Sequence, residues 1–213
     1  VQSNGGLIVA IISNAVTMAD AGAFSVGLGA MTLIKTLTLS NAATASFVHG
    51  ASSVVLDSTY PIYKFEFINI HPVTINKDFT FNMSIDSGSN YNVTKTSTVI
   101  EQYHSENDSG SGLGYHGSYD LAQSTAFQSL ANAVGNNNDD GFSGELLIYS
   151  PSSTTFVKHF MSKGSHAQGG GTSSSHTVAG YGNTTSAVNA IQFKFTSGNI
   201  ESGKVQLYGI KDS

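Results

Sequence analysis

Along residues 62–70 (IYKFEFINI) apolar and polar positions alternate, with Tyr63, Phe65 and Phe67 on one face and Lys64 and Glu66 on the other. A period of two is the mark of a strand with one buried face. The pattern recurs at varying strength over 35–39 (KTLTL), 43–48, 78–85 (DFTFNMSI), 91–103, 144–150 (GELLIYS), 154–161 (TTFVKHFM), 177–181, 187–195 and 204–210, with a short apolar run at 54–56. Turn formers lie between: 57–61 (DSTYP), Asp86-Ser87-Gly88, 109–114, 135–141 (GNNNDDG), Ser150-Pro151 and 169–175. In these, Gly permits positive φ, Asp and Ser bond to nearby backbone, and Pro fixes φ. Only 119–134 (YDLAQSTAFQSLANAV) offers a helix, and its Ser, Thr and Asn positions argue against one. Many short strands separated by such turns predict an all-β chain, an antiparallel β-sandwich with jelly-roll-like order over residues 35–213. The strand at 204–210 is expected to close it.

Residues 1–34 differ. They hold one acidic residue, Asp20, and no basic one, and they mix Gly, Ala and Ser with short apolar stretches. The segment reads as an extended N-terminal arm. A strand such as GLIVAII is β-prone and uncharged, and alone in water it exposes unpaired backbone and apolar side chains. Leu7, Ile8, Val9, Ile11, Ile12 and Phe24 are therefore candidates for an oligomer interface. The expected assembly is a homo-oligomer, with a trimer or larger lattice favoured over a dimer. The apolar run is too short to span a bilayer, and no basic residue precedes it as in a signal peptide. The chain begins at Val1 and not at Met, as expected of a processed chain or a piece of a longer parent.

Composition narrows the function. Only 11% of residues are charged, nine are Lys and none is Arg, and the net charge is −5. Nucleic-acid binding needs a basic surface and leans on Arg, so neither DNA nor RNA is expected as a partner. The absence of Cys removes disulfides and thiolate metal sites. A surface kept soluble by Ser, Thr, Asn and Gly suits a protein held in an assembly or facing neutral polar partners such as sugars.

Candidate chemistry is sparse. A glycosidase needs two carboxyls flanking the scissile bond. Glu66 lies beside Lys64 on the solvent face, Glu145 opens its strand, Glu101 sits near a strand end, and no Trp offers a stacking platform. There is no G-x-S-x-G elbow. None of the seven His forms an i, i+4 pair, and each reads as structural. A turn at Gly169–Gly171 can bring His166 and His176 together, although Gly/Ser loops with scattered His are common on surfaces. The runs NNNDD at 136–140 and Glu106-Asn107-Asp108 offer oxygen ligands, but without the EF-hand spacing they read as polar turns. No catalytic residue, metal or cofactor is assigned. Exposed aromatics beside loops, Tyr103, Tyr115, Tyr119 and Phe142, are the candidates for glycan contact.

The runs DSTYPIYKFEFINIHP, FTFNMSIDSGSNYNVTKT, SGELLIYSPSSTTFVKHF and the closing NTTSAVNAIQFKF…SGNI…LYGI resemble an uncharacterised family of phage-encoded structural proteins common in marine viruses. The resemblance covers roughly residues 35–213. It implies a non-enzymatic virion component, of tail-fibre, appendage or capsid-surface type, located on the extracellular particle. Its implied partners are itself, other virion proteins and, for attachment, a host surface glycan. It carries over no catalytic residue. A carbohydrate-binding receptor module and a self-assembling extracellular fibre subunit are the alternatives.

Overall fold

The computed structural model describes residues 11–13, 16–19 and 30–211. Among these there are fourteen strands and no helix. The first two, β1 (Ile11–Ser13) and β2 (Val16–Ala19), pair only with each other. Leu7, Ile8, Val9 and Phe24 lie outside the described residues, and of Ile11 and Ile12 only the backbone is described.

The remaining strands are β3 (Met31–Ala42), β4 (Ala45–Val48), β5 (Ile62–Pro72), β6 (Lys77–Ser84), β7 (Lys95–Ser105), β8 (Ser111–Tyr115), β9 (Gln128–Val134), β10 (Gly141–Tyr149), β11 (Lys158–Gln168), β12 (Thr172–Gly182), β13 (Ala190–Phe195) and β14 (Ile200–Ile210). All pair antiparallel. One layer runs β3-β14-β5-β10-β11-β12-β7-β8 and the other β9-β6-β13-β4. They join at a corner where Gln168 of β11 meets Val134 of β9. With the β7–β8 and β11–β12 hairpins set aside, eight strands remain. Counted in chain order, one sheet holds the first, eighth, third and sixth, and the other the fifth, fourth, seventh and second. That is the order of a jelly roll, two interlocked Greek keys. Both inserted hairpins add to the same edge, beyond β10, and lengthen the first sheet into a curved wall.

The core is aromatic. Nine Phe, from β4, β5, β6, β10, β11 and β13, are buried between the sheets. Phe193 sits at their centre, with ring centroids 5.1 Å from Phe65, 5.0 Å from Phe67 and 6.3 Å from Phe47. Burying each ring contributes about 1.5–3 kcal/mol, and edge-to-face pairs add roughly 0.5–1.5 kcal/mol. The alternation read in 62–70 is realised. Tyr63, Phe65 and Phe67 point inward, and Lys64 points outward, 2.8 Å from Glu66 and 2.9 Å from Glu145 of β10.

Several local expectations change. β3 begins at Met31, four residues before the boundary at Lys35, because Tyr208 to Ile210 of β14 need a partner. Residues 119–134 form no helix. Their last part is β9, buried on both faces, and a strand packed on both sides shows no alternation to read. Val54 and Leu56 are buried but lie in a loop. The Gly/Ser segments at 109–114 and 169–175 are mostly strand, with the second turning at Gly169–Gly171 and Gly171 at φ +72°. Ser and Gly carry weak strand preference, so pairing decides these segments.

Candidate functional site

β11, β12 and β7 lie side by side, and their inward faces pass from apolar to polar toward one end. On β12, Val178, His176 and Ser174 point inward, and on β11, Phe160, Ser162 and His166 do so. Register sets His166 opposite Ser174, and His176 opposite Glu101 of β7. From the facing sheet, β9 brings Asn132 and Gln128, both buried. His116, just after β8, and Tyr119 close the side. The imidazole rings of His166 and His176 stand 5.2 Å apart, and Tyr119 lies 5.8 Å from His176 and 4.5 Å from His116.

The hydrogen bonds leave this cluster incomplete. Glu101 Oε1 accepts from Ser174 Oγ at 2.8 Å and lies 3.5 Å from His176 Nε2. Glu101 Oε2 lies 2.8 Å from His116 Nδ1 without hydrogen-bond alignment. Asn132 Oδ1 accepts from Gln168 Nε2 at 2.9 Å and stands 2.7 Å from His166 Nε2. An oxygen acceptor at that place fixes the proton on His166 Nε2 and leaves Nδ1 with a bare lone pair. His166 Nδ1 and both ring nitrogens of His176 are buried without a partner. These side chains are 3% and 0% exposed, and an unmet buried polar atom costs about 1–3 kcal/mol. Burial pushes His166 down to about 3 and also lowers His176, so both rings are neutral at physiological pH. Burial alone would raise Glu101, but the Ser174 hydrogen bond and the adjacent imidazoles prevail and hold it below its ordinary value. One donor atom each from Glu101, His166 and His176 lie within 4.8 Å of one another.

The four aromatics expected at a glycan site divide. Phe142 is 1% exposed, packed on Phe67 and Phe79 in the core, and cannot meet a ligand. Its strand places it on the inward face, a parity that the Gly-rich flank hid. Tyr119 is half-buried against the histidines. Tyr103 and Tyr115 are exposed, both on the β7–β8 hairpin, where Tyr115 donates a hydrogen bond to Asp120. Leu113, 75% exposed, and Ile100 share the outer face with Tyr115. Farther along the same face, Tyr149, Met161, Ala179 and Tyr181 line an open groove of about 550 Å³.

Other candidates are engaged locally. Asp140 Oδ2 accepts from Asn137 N and Nδ2, both at 2.9 Å, which makes NNNDD a self-bonded turn. Glu66 and Glu145 share Lys64. Two lysines had no place among the sequence-based candidates. Lys95, fully buried, bonds Asn82 Oδ1 at 2.5 Å and Val93 O at 2.8 Å. Lys158 bonds Phe156 O at 2.6 Å. Period-two parity places both inward, which was the available signal.

Among the described residues, no helix is long and apolar enough to cross a membrane. Comparison with protein-family models finds no match, and neither curated proteins nor solved structures give one. The resemblance to phage structural proteins rests on the sequence motifs alone.

Proposed function

We propose that the chain is a non-enzymatic structural component of a virus particle, a fibre, appendage or capsid-surface protein that takes part in host attachment. The jelly-roll strand order carries this reading, since that architecture recurs in viral capsid and lectin domains. The charge-poor surface supports it, as does the long outer wall, whose exposed Ile100, Leu113, Tyr115 and Met161 suit packing against other copies or virion proteins. The apolar arm of residues 1–34 supplies the self-association. Exposed Tyr103 and Tyr115 favour a second reading, a receptor-recognition module that stacks sugar rings. Light scattering on the full chain and on a chain lacking residues 1–29 tests the assembly. This cut spares β3. A trimer or larger species that falls to monomer on truncation is expected. A full chain that stays monomeric at tens of micromolar, or a truncated chain that assembles unchanged, overturns it.

A further inference from the structure

We propose that Glu101, His166 and His176 form a binding site for a divalent transition-metal ion of the zinc class, with His116 as the fourth ligand. The site is independent of the virion reading.

Three observations converge. First, the donors come from three adjacent strands and point at one volume, with one atom from each of Glu101, His166 and His176 within 4.8 Å. Tetrahedral ligands at 2.0–2.2 Å from a metal stand roughly 3.4 Å apart, so small side-chain rotations close the shell. Second, the nitrogens are unused. His176 is fully buried with neither ring nitrogen partnered, and His166 Nδ1 is equally bare. A folded protein rarely leaves such buried atoms unmet, and one cation takes up His166 Nδ1 together with one ring nitrogen of His176, whose other nitrogen then carries the proton. Third, the outer shell is in place. Asn132 Oδ1 holds the Nε2 proton of His166 and turns Nδ1 toward the cluster. Ser174 Oγ donates to Glu101 Oε1. A carbonyl or carboxylate on the far nitrogen is the usual support of a metal-bound imidazole.

The donor set selects the metal. Imidazole nitrogens with one carboxylate suit zinc and its first-row neighbours. Calcium and magnesium take oxygen shells, which this pocket does not offer. His116 Nδ1 already approaches Glu101 Oε2 at 2.8 Å without a hydrogen bond, from the segment after β8. Its recruitment brings β7, β8, β11 and β12 to one ion. Both inserted hairpins reach beyond the four-stranded sheet and lack a full apolar layer beneath them. The ion thus fastens the part of the wall that carries Tyr103, Leu113 and Tyr115.

The test uses the full chain without a polyhistidine tag. After chelation and dialysis, metal content is measured by mass spectrometry and uptake by calorimetry with zinc chloride. Cobalt(II) serves as the spectroscopic probe. One equivalent per chain is expected, with visible cobalt bands of a four-coordinate nitrogen and oxygen shell. The melting temperature should rise by about 5–10 °C at a hundredfold excess over Kd. His176→Gln and Glu101→Gln should lose uptake, while His104→Ala and His159→Ala should keep it. Because the buried variants risk misfolding, circular dichroism accompanies them, and the wild-type stoichiometry stands as a separate readout. A wild-type chain that takes up neither zinc nor cobalt overturns the proposal. So does uptake that survives in a folded His176→Gln chain.

Discussion

Replacing Lys95 by methionine should stabilise the protein at neutral pH and flatten its stability in alkali. The ammonium sits fully buried, its partners are the Asn82 side chain and the Val93 carbonyl, and among the described residues no carboxylate pairs with it. Burial therefore pushes its pKa from 10.5 down to about 7. The folded state favours the neutral amine, so between those values the unfolded chain binds more protons. Stability must then rise with pH through this window. A tenfold difference in proton affinity between the two states corresponds to about 1.4 kcal/mol, and integration from pH 7.5 to 9.5 gives a rise of roughly 2.5 kcal/mol from this one group. Tyr63, pushed up to about 12, works in the opposite direction, but only above about pH 10, where a free tyrosine ionises. Lys158 is also lowered by burial, and it cancels in the comparison of the two proteins. Methionine keeps the unbranched shape. Asn82 Oδ1 still accepts the Met83 N–H at 2.8 Å. Urea unfolding at constant ionic strength, followed by circular dichroism, should show the wild-type midpoint climbing across this range and the Lys95→Met midpoint nearly level. Parallel pH profiles for the two would refute the reasoning.

Phe65→Ala removes a fully buried ring that packs on Phe47 and Phe193 and should cost about 3–5 kcal/mol, a fall of roughly 6–20 °C in melting temperature. An unchanged melt would contradict the core assignment. Gly164→Ala should cost about 1–3 kcal/mol, because its Cβ would run into Cε2 of the Phe142 ring, and equal denaturant midpoints would show that the ring can yield. Tyr115→Ala on the exposed hairpin should leave the melting temperature within about 1 °C and weaken retention on host surface polysaccharide, since ring stacking contributes about 0.5–1.5 kcal/mol. Unaltered retention would remove the hairpin from the attachment surface.

The strand pattern was legible wherever one face meets the core and the other meets water. Residues 62–70 show this, as do the turns around Asp86-Ser87-Gly88 and Ser150-Pro151. It failed where that asymmetry ends. β9 is buried along nearly its whole length, with apolar Leu130 and Ala131 set among polar Gln128, Ser129 and Asn132, so it showed no period of two. The stretch 172–176 (TSSSH) carries no apolar signal, because its inward positions face a polar cluster. The same reason hid the candidate site. His166 and His176 were seen as a pair across a glycine turn, but Glu101 and His116 join them only through the register of β7 on β12 and of β8 on β7. Those pairings depend on two hairpins far apart in the chain adding to one edge. Phe142 was misjudged as a loop residue because the glycines at 141 and 144 masked its inward parity.

The central claim is that this jelly roll is part of a virus particle. Immunogold electron microscopy, with antibodies raised against the purified chain, tests it on virus particles purified from the source that expresses the chain. Gold at the particle surface or along its appendages is the predicted result. Purified particles that carry no label, while the infected-cell lysate contains the chain in quantity, would contradict it.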